Sequence, residues 1–338
     1  MRTRKIFIYP FVVLFALLFT QCQSARHANY VFSIRGEHTY LNDQEILLKG
    51  VRLSNALISD AAVEEVIANL DTFAGYGLNS FSVYFQGSRF GDVRGYREDG
   101  TLDPVYANRM ARLIEAADRK GFVVLVGCLY WGTSKGKWEE WTQAEAETAV
   151  ANTVLWLNQH NYRNVFVDVD NEGMAQRSQG FDNRELVQAG KSVDPSCVIA
   201  TNISGPPPPE ADLAIHHTDQ VAGKPYIQTE GSAPAAPGGY WGSYSKQGAQ
   251  WDNGPDLYQY INIGIYTDAM QQAQMDTTFA HLDRGEGYMM ASTWLQCVPP
   301  EGPNHRPGGY GTTDDPGIRW WLEAVRERYA AYSPPPPR

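Results

Sequence analysis

Apolar residues along this chain alternate between two spacings. Short, nearly continuous apolar runs occur at 46–55, 79–86, 122–131, 165–172, 198–204, 213–217, 226–230 and 288–295. Such runs mark strands buried on both faces. Between most of them apolar residues recur every three or four positions. Val63, Val66, Ile67, Leu70 and Phe73 predict a helix over 61–76, and the same spacing predicts helices over 105–120, 144–160, 184–192, 270–283 and 318–332. Little chain separates the fifth and sixth strands. Ahead of the first, residues 30–50 read as a hairpin turning near Asn42-Asp43. Strand–helix alternation implies a parallel sheet with right-handed crossovers. Eight such units in roughly 280 residues suit a closed (β/α)8 barrel, a TIM barrel, as one domain over 30–332. An open doubly wound sheet is the alternative. No Gly-x-Gly-x-x-Gly follows the first strand, so no dinucleotide cofactor is implied. Pro206–Pro209 read as a loop and 333–338 as a proline-rich tail.

The start of the chain breaks this pattern. Arg2, Arg4 and Lys5 precede the apolar run Ile6–Phe19, and Cys22 follows it. A basic start and a short apolar run make residues 1–22 an export segment. The run falls short of the roughly 20 residues that span a bilayer, although a retained signal anchor is the alternative. The placement of Cys22 resembles a bacterial lipoprotein signal, which implies lipidation of Cys22, membrane attachment and a place in the cell envelope; plain secretion is the other outcome. Cys128, Cys197 and Cys297 lack metal-type spacing and allow at most one bridge. With 28 Lys and Arg against 38 Asp and Glu the chain carries −10 and no basic block, which excludes a phosphate-neutralising nucleic-acid binder.

In a barrel the chemistry sits where strands end. The fourth strand runs into Asp170-Asn171-Glu172-Gly173 and the seventh into Gln228-Thr229-Glu230-Gly231. Two carboxyl groups facing each other across a small barrel suit glycosidic cleavage. One protonates the leaving oxygen, while the other attacks the sugar or activates water; about 5.5 Å between them means retention and roughly 6.5–9.5 Å inversion. Alternation places Asp168, Asp170 and Glu172 on one face, where negative neighbours would favour a protonated Glu172. A structural role for Asp168 is the competing reading. Asn171 and Glu172 can both enter the site only if the strand ends or bulges there.

These stretches resemble the retaining (β/α)8 glycoside hydrolases, with the cellulase-like family 5 the nearest relative. Leu48-Lys49-Gly50-Val51 is similar to its opening strand, Gly77-Leu78-Asn79-Ser80-Phe81 to its second, Asn171-Glu172 to its fourth, Lys224–Glu230 to its seventh and Thr293-Trp294 to its eighth. The resemblance implies an exported β-glycosidase acting on an oligo- or polysaccharide, with Glu172 as acid/base and Glu230 as nucleophile. It further implies that Asn171 bonds the sugar 2-hydroxyl and that Trp294 floors the central subsite. The chain departs from the family on three strands. Ser82 stands where the second strand carries an arginine, and Arg52 at the end of the first strand is the candidate replacement. Tyr130 and Trp131 end a third strand that lacks the family histidine. The sixth strand has His216-His217-Thr218 instead of His-x-Tyr; His216 matches the inward position. Neighbours on a strand point to opposite faces, so the two histidines are not expected to share an ion, and no metal or cofactor is expected.

Trp131, Trp138 and Trp141 follow the third strand, and Tyr240, Trp241, Tyr244 and Trp251 lie in the long loop after the seventh. Rings there read as sugar platforms, and the loop Ser232–Pro255 as a cleft wall. Arg89, Arg94 and Arg97 after the second strand could contact an anionic chain. The departures keep a second class open, a catalytically inactive barrel that binds glycans as a surface lipoprotein. A transglycosidase using the same pair is a third possibility.

Overall fold

The structure, a computed structural model, describes residues 27–87, 93–130, 141–231, 266–291, 308–312, 314–315 and 317–338. Eight parallel strands close into a barrel: β4 (Lys49–Arg52), β5 (Ser80–Tyr84), β6 (Val123–Leu129), β7 (Val165–Asp170), β8 (Ile199–Thr201), β9 (Leu213–Ile215), β10 (Tyr226–Gly231) and β11 (Gly287–Met290), with β11 returning to β4. Closure rules out the open-sheet alternative. Every residue of β5, β6 and β7 is buried, as strands between a barrel interior and a helix layer must be.

The helices fall where the three-and-four spacing puts them, and local chemistry fixes their ends. Helix α1 (Asp60–Gly75) buries Val63, Val66, Leu70 and Phe73, and the Ser59 hydroxyl accepts from the Ala62 amide at its start. Helix α2 (Pro104–Lys120) opens on Asp103 and Pro104 and stops at left-handed Gly121. Helix α3 (Gln143–Gln159) begins with a Thr142/Glu145 capping box. Then come α4 (Met174–Gln179), which the apolar pattern did not announce, α5 (Asn183–Val193), α6 (Asp268–Asp283) and α7 (Arg319–Tyr329). No helix separates β8 from β9, as the short spacing there implied. Among the described residues no helix is long and apolar enough to cross a membrane.

The expected hairpin is part of a three-stranded antiparallel sheet of β1 (Phe32–Arg35), β2 (His38–Leu41) and β3 (Gln44–Glu45). Asn42 and Asp43 do turn the chain, at φ 49° and 68°, but a second turn at Gly36 adds β1. Phe32 packs on Phe166 at a ring separation of 5.5 Å, and its amide bonds the Arg163 carbonyl just before β7. The small sheet therefore lies at the N-terminal end of the barrel strands, away from Glu172 and Glu230. Cys128 and Cys197 are free thiols; Cys22 and Cys297 lie outside the described residues.

Candidate active site

The site is built at three strand ends where regular alternation stops. Strand β7 ends at Asp170 and passes into a single 3-10 turn, Asn171–Gly173, in which Glu172 takes the left-handed conformation (φ 54°, ψ 19°). That rotation brings both Asn171 and Glu172 into the barrel mouth. Strand β10 bulges between Gln228 and Gly231, so that three steps along it match two along β11, and Glu230 sits on the bulge. Strand β9 stops at Ile215, and His216 turns left-handed at φ 48°.

Arg52 organises the floor. It is fully buried, and its guanidinium lies 3.3 Å from Glu230 Oε2. It donates to Asn171 Oδ1 at 2.5 Å, to the Thr229 carbonyl at 3.3 Å and to the Tyr84 hydroxyl at 3.4 Å. Tyr84 in turn donates to Asp168 Oδ2 at 2.7 Å. Asn202 Nδ2 also reaches Asn171 Oδ1, at 3.2 Å. These donors fix the Asn171 amide with its oxygen inward, so its Nδ2 is a buried donor without a partner. Arg52 also stands over the rings of Tyr84 and Tyr130, at 5.0 and 5.6 Å. Ser82 is the register partner of Arg52 on β5, so Arg52 stands directly beside that position on the neighbouring strand.

Glu172 and Glu230 converge on the same two histidines, Glu230 on His216 and Glu172 on His217, and each carboxyl feels the other's charge. Burial, and then the repulsion between them, make the pair hold one proton beyond the ordinary carboxylate range. Within the pair it is Glu230 that is raised. Burial raises it, and the Arg52 charge opposes this incompletely. Burial would raise Glu172 too, but His217 beside it, then His216 and Glu230, and the Arg52 charge hold it low. The expectation that Asp168 and Asp170 would keep the proton on Glu172 is therefore not met. Asp168 is tied to Tyr84. Asp170 accepts from the Ala175 and Gln176 amides and from Asn183 Nδ2, which anchors the start of α4. Burial pushes Asp168 up to about 6 and Asp170 up to about 7.

The two histidines correct a second expectation. With the strand already ended and His216 left-handed, both rings face the mouth, their centroids 3.9 Å apart. His216 Nε2 lies 3.8 Å from Glu230 Oε2, and His217 Nε2 lies 3.7 Å from Glu172 Oε2. Burial, more than any other influence, pulls the His216 ring down to about 3, so it is neutral.

The structure thus brings together Glu172, Glu230, Asn171, Arg52, Tyr130 and His216. Trp131, Trp241 and Trp294 lie outside the described residues, as do Trp138, Arg89 and most of the loop after β10. Trp141 is no platform: it is buried edge-on against Tyr96, 5.9 Å between centroids. Arg94 and Arg97 are exposed. Sequence reasoning missed Tyr84, Asn202 and His217. Tyr84 sits two residues beyond Ser82 on the inward face, which was the available signal.

No family model matches the chain, and no curated protein matches it in sequence. Solved structures do match in fold. A family 5 glycoside hydrolase from Bacteroides vulgatus superposes with a TM-score of 0.53 at 13% identity, covering 88% of this chain and 68% of that one. An endocellulase from Pyrococcus horikoshii in complex with cellotetraose gives 0.52 at 11% identity, over 89% and 98%. An exo-β-1,4-mannosidase from an Opitutaceae bacterium gives 0.54 at 12% identity, over 92% and 64%. The fold is therefore one shared with (β/α)8 glycoside hydrolases of the family 5 type.

Proposed function

We propose that this protein is an exported retaining glycoside hydrolase cleaving β-linked oligo- or polysaccharides, with Glu172 as general acid/base and Glu230 as nucleophile. The observation that carries this reading is the convergence of two carboxyl groups, delivered by the ends of β7 and β10, on one pair of histidines, with Arg52 3.3 Å from Glu230. Their shared histidine neighbours and mutual repulsion support the short separation of a retaining pair, about 5.5 Å, over the roughly 6.5–9.5 Å of an inverting one. A sugar seated between the two separates them. Glu230 then faces Arg52 and ionises, and the proton passes to Glu172, which stands nearer the leaving group. Glu230 attacks the anomeric carbon as Glu172 protonates the departing oxygen. Glu172 then takes a proton from the water that releases the sugar. Asn171 Nδ2, buried and unpartnered, suits the 2-hydroxyl of the bound sugar. The basic start, the apolar run and Cys22 support export with lipid attachment.

The solved neighbours direct the first assays to β-1,4-glucan and β-1,4-mannan, with galactan and xylan beside them. Glu230→Gln should lower kcat by about three orders of magnitude or more while glycan binding persists. A 2-deoxy-2-fluoro glycoside should leave a sugar on Glu230, located by peptide mass spectrometry, and the first product anomer seen by proton NMR should keep the substrate configuration. Binding without cleavage by the unaltered chain would replace the hydrolase with a glycan-binding barrel.

A further inference from the structure

The mouth of the barrel carries two histidines that glycosidic cleavage does not require, and with Glu172 they make a donor set. Glu172, His216 and His217 each present a ligand atom, and the three atoms lie within 4.8 Å of one another. Two imidazoles and a carboxylate are a donor set suited to zinc. Tetrahedral zinc with bonds of about 2.0–2.1 Å places ligand atoms roughly 3.3–3.5 Å apart, and His217 Nε2 and Glu172 Oε2 are already at 3.7 Å.

The orientation of His216 is the independent observation. Its Nδ1 lies 2.7 Å from Gln228 Oε1. An amide oxygen can only accept, so Nδ1 bears the hydrogen and Nε2 carries the lone pair. That Nε2 is buried without a hydrogen-bond partner, on a side chain only 9% exposed, and it faces the carboxyl pair. An outer partner that fixes a histidine tautomer in this way is the usual support of a metal-ligating imidazole. Arg177, itself exposed, stands 4.0 Å from Glu172, a contact that an entering cation displaces.

We infer that Glu172, His216 and His217 form a binding site for a divalent zinc-class cation, and that an ion held there silences the catalytic pair by taking up the Glu172 carboxylate. A water, or the neighbouring Glu230 oxygen, would complete the coordination. The inhibitory half rests on the proposed hydrolase; the binding half does not.

The test is titration of the full chain with zinc chloride by calorimetry, and with cobalt(II) followed by its visible d–d bands. The site calls for one ion per chain and for intense cobalt bands of four- or five-coordinate type, without a thiolate charge-transfer band. His217 is half exposed, so His217→Ala should fold normally, which circular dichroism checks, and should weaken zinc binding more than about 100-fold. Gln228→Leu, which removes the tautomer-fixing acceptor together with its bond from the Glu230 amide, should weaken it about 10- to 100-fold. Where hydrolysis is measurable, zinc should inhibit competitively and a chelator should restore the rate. Absent binding, binding unaltered by His217→Ala, or a thiolate band would overturn the site. Stoichiometric binding by a chain that cleaves no glycan would keep the site and remove the hydrolase reading instead.

Discussion

At the scale of single residues, Arg52 decides what Glu230 can do. A fully buried guanidinium is tolerable because four groups receive it: Glu230, Asn171, the Thr229 carbonyl and Tyr84. Removing it leaves Glu230 buried without its counter-charge. Its pKa, already raised by burial, then rises further. If Glu230 must be ionised to attack, the acidic limb of the kcat/KM profile moves to higher pH in Arg52→Met, and activity near pH 5–6 falls more than activity near pH 8. Stability falls by about 3–5 kcal/mol as well. A variant whose activity drops by one factor at every pH would show that Arg52 does not set the Glu230 charge. Both glutamates and Arg52 were legible in sequence because a charged residue closing an apolar strand is conspicuous. Tyr84 was not, since a tyrosine in an apolar strand reads as core. Its hydroxyl acquires a role only once Asp168 is known to lie across β6, 2.7 Å away.

At the scale of elements, alternation holds inside the strands and fails at their ends, and the site is made of ends. The eight strands and most helices could be read from periodicity, because each buries an apolar stripe or face. The left-handed residues Glu172 and His216 and the β10 bulge could not, because those conformations are imposed by packing around them. This is why the histidines were expected to diverge and instead converge. The strands also have to make room for the site. A Cβ on Gly127 in β6 would lie 1.8 Å from the Tyr84 ring, so the glycine is what lets that ring stand beside Asp168, Asn171 and Arg52. Gly127→Ala must therefore push Tyr84 out of the network. The expected result is a stability loss of about 1–3 kcal/mol by urea unfolding, together with a fall in kcat much larger than any change in KM. Unchanged kcat in a folded variant would mean that Tyr84 has no bearing on the carboxyl pair.

At the scale of the molecule, the barrel has one end for chemistry and another for stability. The C-terminal strand ends carry left-handed residues, a bulge and buried polar groups, all of which cost stability. The N-terminal ends are closed by the three-stranded sheet and by the last residues of the sequence. Asn42 Nδ2 donates to the Pro336 carbonyl at 3.0 Å, the Arg338 amide donates to the Asn29 carbonyl at 2.9 Å, and Pro335 is buried. Pro334 packs so closely on Gly121 that a Cβ there would lie 2.4 Å away. What reads in sequence as a loose proline-rich tail is thus a strap across the barrel floor. Proline suits it, since a chain already confined in the unfolded state loses less entropy on docking. Truncation after Ser333 should cost about 1–3 kcal/mol, because it removes three hydrogen bonds, one of them the exposed Arg338–Asp43 pair, and one buried ring. For a domain of this size that is roughly 2–4 °C of melting temperature per kcal/mol. The proposed catalytic pair lies at the other end, so kcat of the folded fraction at 25 °C should stay at the level of the full chain. A truncated chain that melts normally would mean the strap is ornamental, and one that melts normally but loses kcat would mean the two ends are coupled through the barrel.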